Sequence, residues 1–368
     1  MIIIMSSDHE KDDIHRVTEY FNQYSEIKTS VHEIRGTERM VAEIYVIGPT
    51  SLISSTEIEK IKGVERVVRV SDKYRIIGRH QGQFEAAGFT YNQIKFDQNQ
   101  CHIFAGLCAV DTKEHVEEMM KALEKNGIQT TRMGVYKPRT SPYDFQGHGA
   151  GCLPYVFELA GTYHIKVIAM EVTHESHIEE IRHALDQSGH PTGVMLQVGT
   201  RNAQNFELLK AIGQQAQFPV LYKRGMGITL EESLNACEYI AEAGNRNIVF
   251  CLRGVKTNLG EPHRNLVDFA HVPTIKRMTR MPVCIDPSHS VGTRLIGPDN
   301  ILDICHATAQ GVIAGVNMVL VDFHPHPEKA LCDGPQALYL EELRGFIEDV
   351  TLVRETYLKR KQLFLKDK

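Results

Sequence analysis

The chain has no apolar run long enough to span a bilayer, no C-x-x-C pair and no excess of positive charge. The first absence removes a transmembrane helix, which needs about 18 or more consecutive apolar residues. Met1–Met5 is apolar but runs at once into Ser6, Ser7, Asp8, His9, Glu10 and Lys11, too soon for the core of a signal peptide. The formal charge of −5 offers no general attraction to nucleic acid or to an anionic membrane, so any cationic site has to be local. The eight cysteines are scattered through 368 residues, a length that needs no covalent staples. A reducing cytoplasm is the natural setting, with most of the thiols inert in the core.

What is present is the composition of a globular protein with a sizeable core, 42% hydrophobic and 24% charged. Residues 1–72 read as a separate unit. Met1–Met5, Lys28–Ile34, Val41–Ile47 and Glu65–Val70 have strand character. Asp8–Gln23 and Ser55–Lys62 have helical character, with Gly63 as a stop. The order β-α-β-β-α-β is the ferredoxin-like pattern. Residues 73–100 are polar and glycine-broken, a linker in which Phe89–Phe96 and His102–Phe104 flank Asp97–Gln100 and predict a hairpin.

From residue 101 to about 355 a rhythm sets in. Apolar strand candidates fall at 102–107, 131–136, 165–172, 193–198, 219–223, 247–252, 281–286 and 316–322. Helical stretches such as Lys113–Asn126, His174–Gln187, Asn202–Ala211, Leu230–Gly244 and Asp299–Gly311 lie between them. Gly127, Gly189, Gly213, Gly244 and Gly311 stand where helices are expected to end. Eight such units in about 250 residues match a (β/α)8 TIM barrel. An open doubly wound sheet would bring a glycine-rich phosphate fingerprint after its first strand, and Ala105-Gly106-Leu107-Cys108 is not one. The basic tail 356–368 reads as a solvated end of a helix.

Barrels gather their chemistry at the carboxyl ends of the strands. There stand Cys108, Arg132 to Arg139, Glu171, Gln197 to Arg201, Lys223-Arg224, Arg253, Asp286 to His289 and Asp322 to His326. Singly, Arg132, Lys137, Arg201, Lys223 and Arg253 are ordinary surface charges; together, from strands that closure aims at one volume, they imply a polyanionic substrate. Lys137-Pro138-Arg139-Thr140 adds two cations and a hydroxyl on a proline-stiffened turn, suited to phosphate or carboxylate. Cys108, His289, Asp322 and Asp333 form a mixed sulfur, nitrogen and oxygen set fitting a divalent ion, with Mn, Fe, Co or Zn all compatible. His324 and His326 are rival ligands.

Lys137–Gly147 (KPRTSPYDFQG), Gln197–Lys210, Pro219–Gly225, Asp286–His289 (DPSH) and His324–Gly334 (HPHPEKALCDG) together resemble the 3-deoxy-D-arabino-heptulosonate 7-phosphate (DAHP) synthases, in the subgroup nearest the octulosonate-phosphate synthases. The resemblance implies condensation of phosphoenolpyruvate with erythrose 4-phosphate, releasing phosphate, at the entry to the shikimate pathway and aromatic amino acid biosynthesis. It implies that Arg132, Lys137, Arg201, Lys223 and Arg253 hold phosphoenolpyruvate and that Arg139 and Thr140 face the aldose phosphate. Lys137 is the expected acid, with a metal-bound water as the rival. Cys108, His289, Asp322 and Asp333 are the expected ligands of a divalent metal ion. Leu107, Leu252 and Asp322 depart from the family pattern, which has Pro, Glu and Glu there; the shorter Asp must approach an ion more closely or bind through water. The first 72 residues resemble a regulatory extension that binds an aromatic amino acid, and a homotetramer is expected. The alternatives are a synthase using another aldose phosphate and a weakened barrel serving as an amino-acid-responsive binding protein.

Overall fold

The structure, a computed structural model, describes residues 1–35, 40–50, 53–68, 74–80 and 88–365. Arg69 and Val70, which end the fourth expected strand, lie outside the described residues, as do part of the 73–100 linker and the last three residues of the tail. The chain divides into two compact units, Met1–Phe84 and Glu85–Lys368.

The first unit runs β1 (Ile2–Met5), α1 (Lys11–Phe21), β2 (Lys28–Arg35), β3 (Met40–Ile47), α2 (Ser55–Ile58) and β4 (Val64–Val68). Its antiparallel sheet has the order β2-β3-β1-β4, which is the ferredoxin-like arrangement. Ile3 and Met5 alternate inward from β1 and meet Val17 and Phe21, one helical turn apart on α1, with Ala42, Ile44 and Val46 from β3. Helix α1 begins later than Asp8 because Glu10 and Asp13 form a capping box, the Asp13 carboxylate accepting from the Glu10 N–H at 3.0 Å. The second expected helix, Ser55–Lys62, is a single turn.

The second unit opens with a hairpin that corrects the expected pairing. Strand β5 (Phe89–Tyr91) pairs with β6 (Ile94–Phe96), not with His102–Phe104 across Asp97–Gln100. Asn92 and Gln93 both adopt positive φ, 43° and 70°, the conformation of a two-residue hairpin turn. The Asp97 carboxylate then accepts from the N–H groups of Asn99 and Gln100 at 2.7 and 3.0 Å and bends the chain into the barrel.

The barrel strands are β7 (His102–Leu107), β8 (Thr130–Met133), β9 (Val167–Val172), β10 (Gly193–Val198), β11 (Val220–Lys223), β12 (Ile248–Leu252), β13 (Val283–Ile285) and β14 (Met318–His324). Each pairs parallel with the next, and β14 pairs with β7, closing the ring. The helices are α3 (Lys113–Lys125), α4 (Leu153–Thr162), α5 (Ser176–Ser188), α6 (Phe206–Gln214), α7 (Leu230–Glu242), α8 (Val272–Met278), the short α9 (Pro287–Val291) and α10 (Asp303–Ile313). A short β15 (Leu338–Tyr339) adds to β14 before α11 (Leu343–Leu363), which continues unbroken through residue 355 into the basic tail. No helix among the described residues is long and apolar enough to cross a membrane.

Two of the expected helix stops are not stops. Gly213 lies inside α6 and Gly311 inside α10. Each serves close packing: a Cβ on Gly213 would lie 2.5 Å from the Ile240 carbonyl oxygen and from the Ala243 Cβ, and one on Gly311 would lie 2.4 Å from Ile285 Cδ1.

Inside the ring, alternation decides everything about placement. Phe104, Val167, Ala169, Met195, Leu221, Val249, Cys251, Cys284, Met318 and Leu320 face the axis and form one buried cluster. Phe89, Tyr91 and Ile94 of the hairpin pack against that cluster. The hairpin is tied to the amino-terminal ends of the strands: Asn92 donates to the Lys166 carbonyl at 2.7 Å and the Tyr91 hydroxyl accepts from the Val194 N–H at 3.0 Å. One end of the barrel is therefore plugged and apolar, leaving the other for chemistry.

In an exposed helix, Gly→Ala gains about 1 kcal/mol of propensity. Gly213→Ala is expected to reverse the sign, destabilising by about 1–3 kcal/mol because a backbone carbonyl has nowhere to go. A drop in the urea-unfolding midpoint measures it; an unchanged or raised midpoint contradicts the packing argument.

Candidate active site

On six strands the side chain two residues beyond the last apolar position on the barrel axis is polar. Ala169 is followed by Glu171, Met195 by Gln197, Leu221 by Lys223, Cys251 by Arg253, Cys284 by Asp286 and Leu320 by Asp322. Because strand side chains repeat every second residue, these groups form the next layer up, and all are buried. Arg132 of β8 joins them, 2% exposed, facing Gly106 and Ala169 across the sheet.

Above this layer lies a small cleft. Arg132, Lys137, Arg139, Arg201, Lys223, Arg253 and His289 all line it, together with Asp333. The structure thus brings six expected cations into one volume. Thr140 is exposed at the rim and accepts from Arg201 Nη2 at 3.2 Å.

Several of the cations are matched by buried anions from distant strands. Arg132 donates to Asp322 and Lys223 to Asp286, while Lys137 Nζ lies 3.8 Å from Glu171 Oε2. Arg224 is neutralised by Asp268 at 2.9 Å. Arg253 differs: it is 2% exposed, yet its Nε and Nη1 have no hydrogen-bond partner among the described residues. Burial holds its pKa below the ordinary arginine value. Unpartnered buried donors are costly, so a guanidinium in this position is built for an anion from outside.

The expected metal ligands also converge. Cys108 Sγ is 3.7 Å from His289 Nε2 and 3.1 Å from Asp333 Oδ2, and those two atoms are 3.5 Å apart. His289 turns its other nitrogen, Nδ1, to the Asp286 carboxylate at 3.0 and 3.1 Å, which leaves the Nε2 edge toward the sulfur. A carboxylate behind an imidazole is how metal-binding histidines are oriented. A donor atom of Asp322 lies within 4.8 Å of Cys108 and His289, but Asp322 faces the Nδ1 side of the ring at 3.6 Å. Its two oxygens accept from Arg132 and, at 2.6 Å, from Gln336. Of the rival ligands, His324 is tied elsewhere: its Nε2 is 2.8 Å from Asp111 and its Nδ1 accepts from the His326 N–H at 2.9 Å.

Electrostatics of the layer follow from these pairs. Burial disfavours the His289 cation, but Asp286, with Asp322, outweighs it and raises the pKa to about 10. Burial likewise opposes ionised Asp286, whose carboxyl is nevertheless held well below the usual range by His289 and Lys223. Lys137 resists its own burial because Cys108 and Glu171 sit beside it, and stays cationic. Hydrogen bonding between Cys108 and Cys332, before any other cause, pushes the Cys108 thiol up and the Cys332 thiol down.

Sequence reasoning assigned no role to Arg264, Cys332 or Gln336. Arg264 reaches Asp333 and Gln336 at 3.1 and 3.0 Å from the long segment after β12, where no strand end marked it. Cys332 lines the cleft; its adjacency to Asp333 was the one available signal.

The segment after Cys108 is anchored by Asp111, whose side chain is 3% exposed. It accepts from His115 at 2.9 Å, His324 at 2.8 Å and the Thr112 N–H at 2.7 Å. Burial opposes its ionisation, yet the bonds from His324, His115 and Thr112 lower its pKa from 3.8 to about 2. Its stabilising effect is therefore full above the unfolded value, about 4, and is lost as pH falls toward about 2. Asp111→Asn is expected to cost about 1–3 kcal/mol at neutral pH, with variant and wild-type midpoints converging in acid. Midpoints that stay equally separated at all pH values refute the linkage.

Comparison with known proteins gives the family of both units. Residues 87–358 match the DAHP synthetase I family and residues 1–72 match the DAHP synthase ferredoxin-like domain. The chain is 34% identical over 350 residues to a phospho-2-dehydro-3-deoxyheptonate aldolase of Thermotoga maritima, covering 95% of this chain and 96% of that one. The crystal structure of the phospho-2-dehydro-3-deoxyheptonate aldolase (DAHP synthase) from Thermotoga maritima superposes with a TM-score of 0.70 at 32% identity, covering 96% of this chain and 97% of that one. A 2-dehydro-3-deoxyphosphooctonate aldolase of Bradyrhizobium diazoefficiens is 27% identical, over 70% of this chain and 91% of its own length.

Proposed function

The chain belongs to the DAHP synthetase I family and condenses phosphoenolpyruvate with erythrose 4-phosphate, and we propose that it does so in the cleft of cations above the barrel layer. The observation that carries the placement is Arg253, buried with two unpartnered nitrogens beside five further cations. Phosphoenolpyruvate is the anion that completes them: Arg132, Lys137, Arg201, Lys223 and Arg253 take its phosphate and carboxylate. Arg139 and Thr140, on the stiff turn at the rim, take the phosphate of the aldose.

The cationic ring fixes the methylene carbon of the enol against the aldehyde carbon, removing orientational freedom before bonds change. The carbon–carbon bond forms, and the aldehyde oxygen takes a proton from Lys137, whose ammonium lies 3.3 Å from Cys108 Sγ at the floor of the cleft. Water adds to the former enol carbon, its proton restoring the Lys137 ammonium, and inorganic phosphate leaves with the bridging oxygen to give 3-deoxy-D-arabino-heptulosonate 7-phosphate. Cys108, His289 and Asp333 have the donor chemistry and mutual spacing for a divalent ion. Bound there, such an ion supplies Lewis acidity toward the aldehyde oxygen. Asp286 orients His289, and Asn265 Nδ2 holds the His289 carbonyl at 2.7 Å.

The small ferredoxin-like unit is the place for control. We read it as binding tyrosine or phenylalanine and inhibiting the barrel, within a homotetramer. Initial rates of the full chain with each amino acid test this, with light scattering for the assembly; no inhibition by either removes the regulatory reading.

Phosphate release is expected with phosphoenolpyruvate plus erythrose 4-phosphate and to stop with chelator, while a five-carbon aldose phosphate gives little. The reverse preference would assign the chain to the other synthase type, and no release with either would leave a binding protein. Arg253→Ala is expected to lower kcat/KM for phosphoenolpyruvate about 10–100-fold, the worth of hydrogen bonds to a charged group. Lys137→Met is expected to lower kcat about 100–10,000-fold. A Lys137→Met enzyme with normal kcat and only a raised KM would make Lys137 a binding group, not the acid.

A further inference from the structure

We propose that Cys332 is the fourth protein donor to the divalent ion, in the position expected of Asp322, so that the ion is held by Cys108, Cys332, His289 and Asp333. The inference rests on the metal-site reading above and adds a second sulfur to it. Asp333 Oδ2 is the hub of the arrangement, 3.1 Å from Cys108 Sγ, 3.2 Å from Cys332 Sγ and 3.5 Å from His289 Nε2. Donor atoms of Cys108, Cys332 and Asp333 all lie within 4.8 Å of one another. Bonds of about 2.0–2.3 Å from a tetrahedral ion put its donors roughly 3.3–3.8 Å apart; the pairs Asp333–Cys108, Asp333–Cys332, Asp333–His289 and Cys108–His289 already stand at 3.1, 3.2, 3.5 and 3.7 Å.

The backbone explains how two adjacent residues reach one point. Neighbouring side chains in a strand diverge to opposite faces. Here Asp333 adopts the left-handed conformation, φ 56°, and the next residue is a glycine whose Cβ would lie 2.3 Å from the Pro327 carbonyl oxygen. The turn that results lets Cys332 line the cleft while Asp333 points to the same centre.

Asp322 is placed for a different task. It is fully buried, one oxygen accepting from Arg132 and the other from Gln336, with its own N–H donated to Ser288 Oγ at 2.9 Å. It faces His289 Nδ1, the nitrogen turned away from Cys108 and Asp333. A donor atom of Asp322 also lies within 4.8 Å of Cys108 and His289, but both of its oxygens already accept hydrogen bonds, and ligation would draw charge from the counter-ion of a 2% exposed Arg132. Asp322 is a positioning residue for Arg132. Two sulfur donors also select the class of ion: thiophilic zinc, iron(II) or cobalt in preference to manganese or magnesium.

Cobalt(II) titration of the full chain tests the assignment, because each thiolate ligand adds to the near-ultraviolet sulfur-to-cobalt charge-transfer band. The wild type is expected to show a two-thiolate band, and Cys332→Ser to lose about half of it while keeping its thermal midpoint. Cys332→Ser should also weaken cobalt and zinc about 10–100-fold in chelator competition, whereas Asp322→Asn should retain the full band. A wild-type band of one-thiolate intensity, unchanged in Cys332→Ser and lost in Asp322→Asn, would overturn the role of Cys332 and leave the metal site standing. Failure of the wild type to bind cobalt or zinc at all would overturn the metal site and this inference with it.

Discussion

A layer of ionised side chains cut off from water has to be nearly neutral within itself, and the upper layer of this barrel obeys that constraint through pairs that no single strand could make. Arg132 of β8 meets Asp322 of β14, Lys223 of β11 meets Asp286 beyond β13, and Lys137 beyond β8 meets Glu171 of β9. Each charge is tolerable only while its partner stays in place, because breaking a buried pair strands a charge. Ring closure and charge pairing therefore support one another. The excess that remains, with Arg253 unpartnered among the described residues and Arg201 at the rim, faces the cleft, as the proposed binding of a phosphorylated carboxylate requires.

The two ends of the barrel divide the work. At the amino-terminal end the β5–β6 hairpin closes the interior with Phe89, Tyr91 and Ile94, and its polar atoms bond to the strand starts. That plug keeps water from the underside of the charged layer. The low dielectric it creates strengthens each pair and sharpens the demand of Arg253 for an anion.

Around Cys108 the same economy of contacts orients each donor. Asp286 serves twice, neutralising Lys223 and fixing the His289 ring. Gln336 bonds both to Asp322 and, through its oxygen, to Arg264, which in turn reaches Asp333. The cleft cations and the sulfur, nitrogen and oxygen donors are thus one connected network, so a substitution at Asp322 is felt directly at Arg132.

The eight strands, the ferredoxin-like order and the identity of the clustered cations were all legible in the linear chain. They depend on alternation and helical period, which are properties of local backbone geometry. The hairpin was misread because a left-handed turn at Asn92-Gln93 carries no glycine to announce it. Gly213 and Gly311 were misread because a glycine needed for close packing looks the same as one that ends a helix. Amino-acid order alone settled which residue types stand at the strand ends. Which carboxylate neutralises which cation, that Arg253 is left without one, and that Cys332 converges with Cys108 were decided only in three dimensions. Those relations join positions such as 132 and 322 or 108 and 333, and only closure of the ring brings them within bonding distance.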